Sequence, residues 1–273
     1  MSSLVIDAGR ERRYLRDLGR AFGGALLFNI PLLMTMEMWQ AGIYMDRLRL
    51  LAFFAAALPV LYGLSYYAGF SKGRGLRNDV LDALVALAVG FAVASCLLLL
   101  FGVLEVNASP LDNVGMVALQ AVPGAIGALV ARRQMNGGDD KEDEGRVSYW
   151  GELFLMGAGA LFFAMNVAPT EEMILIAYKC TPWHELGLIV VSVLLLHVIV
   201  YSAGFAGQED QGRPVTAFFR FTLPGYAIAI GVSLFVLWVF GRSDGHAAAR
   251  AMATAIVLGF PASIGAAAAR LLV

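Results

Sequence analysis

Seven stretches of this chain run for about the length of a membrane crossing without a single Asp, Glu, Lys or Arg. They lie between Arg49 and Lys72, Asp82 and Glu105, Asp112 and Arg132, Glu152 and Glu171, Glu185 and Glu209, Arg220 and Arg242, and Arg250 and Arg270. A helix needs roughly 17–25 apolar residues to cross a hydrocarbon core of about 30 Å, and each stretch falls in that range. An eighth, shorter stretch, Ala21 to Met36, is extended by the mixed segment that follows it. None alternates with the period of two that a lipid-spanning barrel requires, so the backbone must satisfy its own hydrogen bonds as helices. The expected fold is therefore an all-α polytopic membrane protein with eight transmembrane helices. Composition agrees: 59% of the 273 residues are hydrophobic and 15% are charged, against roughly a quarter charged in a soluble domain.

The N-terminus, M-S-S-L-V-I-D-A-G-R-E-R-R, lacks the short apolar core and small-residue cleavage site of a signal peptide, so the first helix is expected to stay as an anchor. With the N-terminus inside, fifteen of the twenty Lys and Arg residues fall on the cytoplasmic side. Arg47, Arg49, Lys179, Arg242 and Arg250 are left on the other. That bias predicts a multi-pass protein of a bacterial inner membrane with both termini cytoplasmic. The outer side also carries eight acids, Glu37, Asp46, Glu105, Asp112, Glu171, Glu172, Glu185 and Asp244, and so attracts cations. Trp39, Trp183 and Trp238 fit an outer aromatic belt.

The chain also matches itself. At an offset of 135, A-L-L-F-N-I-P-L-L-M-T-M-E-M (Ala25 to Met38) falls on A-L-F-F-A-M-N-V-A-P-T-E-E-M (Ala160 to Met173), and Y-Y-A-G-F (Tyr66 to Phe70) falls on Y-S-A-G-F (Tyr201 to Phe205). At an offset of 138, P-G-A-I-G-A-L-V-A-R (Pro123 to Arg132) falls on P-A-S-I-G-A-A-A-A-R (Pro261 to Arg270). Three matches in order predict a duplication. The expected organisation is a cytoplasmic N-terminal segment (1–18), a first repeat of four transmembrane helices (19–133), an acidic cytoplasmic linker (134–149) and a second four-helix repeat (150–273). Four is even, so the two repeats point the same way, as parallel transporter repeats do.

One segment carries chemistry. N-V-A-P-T-E-E-M, Asn166 to Met173, sets a proline and two glutamates inside apolar sequence. A charge near a bilayer centre costs roughly 2.5–3.5 kcal/mol, so an acid within such sequence is read as functional first. Counting from Glu152 at about 1.5 Å per residue puts the pair about 28 Å along its helix, toward the outer end. Two readings follow for Pro169: a kink in a continuous helix that frees the Met165 carbonyl, or the start of a fresh helix with Thr170, Glu171 and Glu172 in its first turn. Glu37 matches Glu172 across the offset, while Met36 stands where Glu171 would be. In the first repeat Thr35 matches Thr170 at the same offset, while Asn29 and Pro31 lie at shifted positions, with Pro31 as the matching helix break.

The candidate ion-binding or pore residues are thus Glu37, Glu171, Glu172, Asn166, Thr170, Thr35 and Asn29, with Glu37 and Glu172 as the symmetric acids. Glu37, Glu171 and Glu172 are the metal candidates, because hard oxygen ligands suit calcium, manganese or magnesium. The opposing reading leaves the glutamates as solvated helix ends. His197, in mid-window, could relay protons, although a neutral histidine bonded to a neighbouring helix serves a purely structural end. The two cysteines, Cys96 and Cys180, form no metal or redox motif, and neither nucleophile nor phosphate loop is present, so enzyme chemistry is not expected.

A-P-T-E-E-M, the Y-x-A-G-F repeats and the eight-helix layout together resemble a bacterial family of integral membrane proteins of unknown function, over nearly the whole chain. That resemblance implies no activity. A-P-T-E-E is also similar to the A-P-E motif of cation/calcium exchangers, in which a helix-breaking run presents a glutamate to calcium. Those proteins use inverted five-helix repeats, so only the local chemistry carries over, onto Pro169, Glu171 and Glu172. The expected function is a cation channel or transporter, with a proton-coupled exchanger as the alternative. A non-transporting sensor or assembly partner is the reading from another class. Its partners are the lipid bilayer and inorganic cations, not nucleic acid. A homodimer would ring a pore with four such helices and a monomer with two, and the residues leave that choice open.

Overall fold

A computed structural model describes residues 8–68, 76–104, 109–136, 148–202 and 214–271. Among them the chain forms ten helices and no strand. They are α1 (Ala8–Leu33), α2 (Met36–Tyr44), α3 (Arg47–Ala68), α4 (Leu76–Leu100), α5 (Pro110–Asn136), α6 (Tyr149–Val167), α7 (Glu171–Lys179), α8 (Pro182–Ser202), α9 (Pro214–Val239) and α10 (Ala248–Leu271). A π-helical turn at Phe218–Thr222 lies within α9. Seven of these helices are long and apolar enough to cross a membrane, and α1 with α2, taken as one broken span, makes eight. The protein is a polytopic helical membrane protein, as the uncharged windows predict.

The order of elements recurs with the sequence offsets. Shifting α2 by 135 residues gives α7, and the first residue of α3 shifts onto the first residue of α8; shifting Pro110 by 138 gives Ala248, the start of α10. Packing recurs too. In the first half α1, α2, α3 and α4 all pack on α5; in the second α6, α7, α8 and α9 all pack on α10. The two hubs are accordingly the most buried spans, with 83% of the α5 window and 67% of the α10 window inside the protein, against 17% for α8.

Close crossings fix these hubs. A β-carbon on Gly24 of α1 would strike the Gly127 carbonyl and the Ala131 methyl of α5, and one on Gly127 would strike Gly24 and Phe28. In the second half Gly159 of α6 meets Gly265 and Ala269 of α10, and Gly265 meets Gly159 and Phe163. Every member of the second set is the offset partner of one in the first. With no hydrophobic drive between helices in lipid, such backbone approach supplies the van der Waals contact that holds helices together. The halves themselves meet where α3 packs on α6 and α9, and where the Phe28 and Phe162 rings lie 4.4 Å apart.

The helix bounds refine several expectations. α1 begins at Ala8, well within the segment 1–18, and runs through Pro31 to end at Leu33, so Pro31 is not the site of its break. Proline at that position removes one hydrogen bond to Leu27 without ending the helix, because packing on α5 holds the remaining turn. Most of the linker, 137–147, and most of the Y-x-A-G-F repeats, including Gly69 and Gly204, lie outside the described residues.

Candidate functional site at the paired helix breaks

Each half carries a helix that stops and restarts. α1 ends at Leu33, and α2 starts at Met36 at an angle of 84° to it. α6 ends at Val167, and α7 starts at Glu171. Of the two readings open for Pro169, the structure takes the fresh helix, with Thr170 in the N-cap position and both glutamates in the first turn. The local chemistry of the two breaks is the same. The Thr35 hydroxyl donates to the Leu32 carbonyl at 2.7 Å, and its amide donates to that carbonyl at 3.2 Å. The Thr170 hydroxyl and amide donate to the Val167 carbonyl at 2.8 and 3.1 Å. Each threonine thus spends its proton closing the helix behind it and not capping the helix ahead.

α2, the start of α3, the first residue of α7 and the exit of α9 border one cavity of about 550 Å³. Glu37, Gln40, Asp46 and Arg49 line it from the first half; Glu171, Gly241, Arg242 and Asp244 line it from the second. Both arginines are committed. Arg49 donates to both carboxylate oxygens of Asp244 and, at 3.0 Å, to the Trp238 carbonyl, with its guanidinium 5.4 Å from the centre of the Trp238 ring. These hydrogen bonds, aided by the positive charge, hold the Asp244 carboxyl below its ordinary value. Arg242 donates to the Pro169 carbonyl, covering the end of α6. Asp46 accepts from the Leu48 and Arg49 amides at 2.9 and 3.2 Å and so caps α3.

Glu37 and Glu171 are left without a hydrogen-bond or ion-pair partner among the described residues. Each sits in the first turn of its short helix, where the helix dipole favours negative charge. With four acids and two arginines on its wall, the cavity is net negative. Its wall holds two carboxylates without a partner among the described residues.

The other predicted residues take different places. Glu171 and Glu172 are both exposed, but only Glu171 borders the cavity, so the acid that joins Glu37 there is Glu171 and not the offset partner Glu172. Successive residues of a helix point about 100° apart, which is why one of two adjacent glutamates reaches the cavity rim and the other does not. Among the described residues no three His, Cys, Asp or Glu side chains converge closely enough to hold a metal ion, so Glu37, Glu171 and Glu172 do not form one ligand set. The Asn166 amide donates to the Phe162 carbonyl of its own helix at 2.7 Å. Asn29 is buried between α1 and α5. His197 lies far along α8 from the cavity, with Nδ1 2.9 Å from the Thr222 hydroxyl, the helix-to-helix bond of the structural reading.

Arg49, Arg242 and Asp244 carry no local signature as site residues. They are ordinary loop and helix-end charges in sequence, and only the fold brings Arg49 to a partner 195 positions away. Asp46 was legible as a helix-start residue ahead of an apolar run.

Ten helices, two of them restarted, around apolar hubs define a polytopic integral membrane protein with an acidic mouth between its halves. The chain belongs to the family described as "Putative integral membrane protein (DUF2391)", whose model matches residues 17–273. No curated protein and no solved structure matches it.

Proposed function

We propose that this protein passes cations across a bacterial inner membrane, and that the cavity between the helix breaks is where they enter. The observation that carries this reading is the pairing of two unpartnered carboxylates, Glu37 and Glu171, one from each half, on one cavity. Structural acids at helix starts would be satisfied by facing water separately. Here they face a shared space whose arginines are held by other groups. Rings of acids are a recurring means of selecting cations at pore mouths. The wide, two-carboxylate geometry suits a cation that keeps most of its water, with calcium or another divalent ion favoured by charge. The Lys and Arg bias supports placing this mouth on the outer face.

The test is ion flux into proteoliposomes, with calcium, manganese and potassium offered in turn, with and without a pH gradient. Glu37→Gln and Glu171→Gln should each lower flux of the transported ion, while Glu172→Gln should leave it near wild type. Flux driven by the pH gradient would make the protein an exchanger. Equal flux in wild type, Glu37→Gln and Glu171→Gln would overturn the site.

A further inference from the structure

The deepest polar groups in the first half are two carboxamides with nothing to bond. Asn29 of α1 is 1% exposed and Gln120 of α5 is 0% exposed, and neither the nitrogen nor the oxygen of either side chain has a hydrogen-bond partner. Buried carboxamides are normally satisfied, because leaving them bare forfeits the hydration of both the donor and the acceptor.

Their placement follows from the register of α1 on α5. Gly24 meets Gly127 and Ala131, Phe28 meets Gly127, and the Asn29 carboxamide lies against Gly124. Gly124, Gly127 and Ala131 form one helical stripe, and Gln120 continues it one turn toward the cavity end. The next turn, Gly115 and Met116, already carries α2 through Gly42. Gln120 therefore sits between the α1 contact and the α2 contact, beneath the α1–α2 break and behind Glu37. Room has been made for this polarity, since a β-carbon on Gly124 would strike the Asn29 nitrogen. The equivalent place in the second half is apolar: the offset partners of Asn29, Gln120 and Gly124 are Ala164, Leu258 and Ala262, all fully buried.

From this we infer that Asn29 and Gln120 hold buried water, and that this water continues the acidic cavity inward through the first half alone. The chemistry selects the ligand. A bare cation would satisfy the two oxygens and leave both amide groups unbonded; an anion would do the reverse. Water donates and accepts, needs two to four polar partners, and is the usual occupant of such sites. An ion entering past Glu37 would then find neutral dipoles and water where the matching position of the second half holds Ala164 and Leu258. The role in passage rests on the proposed function; the water itself does not.

Two measurements separate these. The first is hydroxyl-radical labelling of the full chain in lipid nanodiscs, which oxidises side chains beside bound water. Met116, one turn from Gln120 and 3% exposed, should label several-fold faster than Met173, 2% exposed in the second half, and the excess should vanish in the double variant Asn29→Leu, Gln120→Leu. Equal labelling of Met116 and Met173 in wild type overturns the water site, and needs no variant to fold. The second is flux: the double leucine variant should carry at least tenfold less than wild type at nearly unchanged thermal stability, because exchanging both carboxamides and their water for apolar side chains of similar volume is close to neutral. If Glu37→Gln lowers flux and the leucine pair does not, the inner route is overturned while the acidic mouth stands. Labelled Met116 in a protein without flux would instead overturn transport and keep the water.

Discussion

Arg49 at the start of α3 grips Asp244, in the loop between α9 and α10, through two hydrogen bonds of 2.7 and 2.9 Å, and so ties the first half of the protein to the second across the rim of the cavity. Hydrogen bonding to Arg49 depresses the Asp244 carboxyl, so the clasp contributes stability above the ordinary aspartate range and loses it as pH falls through the lowered value. The Asp244 carboxylate is exposed to water, so the contribution at neutral pH is about 1 kcal/mol or less. Asp244→Asn should lower the melting temperature slightly at pH 7, and the gap to wild type should begin to narrow only below about pH 4 and close once pH falls past the lowered value. Combined with Arg49→Gln it should cost no more than Arg49→Gln alone, which also removes the contacts to Trp238. Additive losses would show that the two residues act separately.

The glycine crossings make a sharper stability prediction. At Gly159 the obstacle to a side chain is the Gly265 backbone, which cannot rotate away. Gly159→Val should therefore force α6 from α10 and abolish folded protein in detergent, as judged by size-exclusion chromatography. Gly187 on α8 has nothing within 4 Å of an added β-carbon, and Gly187→Ala should be tolerated, with a gain of up to about 1 kcal/mol from reduced backbone freedom. Similar behaviour of the two variants would mean that the hub contact does not hold the half together.

Arg242 stabilises one helix break but not the other. Its bond to the Pro169 carbonyl is charge-assisted, a class worth about 1.5–3 kcal/mol when one partner is ionised. Arg242→Met should loosen the end of α6 and the first turn of α7. Amide exchange at Ala168 and Thr170, whose amides bond the Ala164 and Val167 carbonyls, should quicken by about tenfold or more, since 1.4 kcal/mol corresponds to a factor of ten. Exchange at Met34 and Thr35, the bonded amides of the other break, should stay unchanged. Uniform acceleration at both breaks would indicate global destabilisation instead.

The sequence made the eight crossings readable because charge is excluded from lipid-facing helix and its absence leaves long windows. The restarted helices were half legible: Thr35 and Thr170 stand at equivalent offsets, and both close the preceding turn. Proline misled in one half, since Pro31 sits within α1 while Pro169 lies just past α6. Which acid faces the cavity was not legible, because offset pairing aligns Glu37 with Glu172 while the direction of each side chain depends on how α2 and α7 are tilted on their hubs. Gln120 escaped for a different reason. It carries no charge, so a window defined by the absence of charge passes over it, and its lack of a partner exists only in three dimensions.

His197 offers a last test, of a bond that bridges two membrane helices. The π-helical turn Phe218–Thr222 inserts an extra residue into α9, and the Thr222 hydroxyl at its end meets His197 Nδ1 at 2.9 Å, with Phe218 edge-on to the ring at 5.5 Å. Such turns are retained where a side chain must be re-aimed. Thr222→Val keeps the shape but removes the hydroxyl, leaving a ring nitrogen unpaired at a cost of about 1–3 kcal/mol. The melting temperature should fall, Thr222→Ser should restore it, and the nitrogen NMR shifts of His197 should report a changed tautomer balance in the valine variant alone. If His197 also relayed protons for transport, Thr222→Val would alter the pH dependence of flux. A purely structural bond predicts the stability loss with that pH dependence intact, which is the expected result given how far His197 lies along α8 from the acidic cavity.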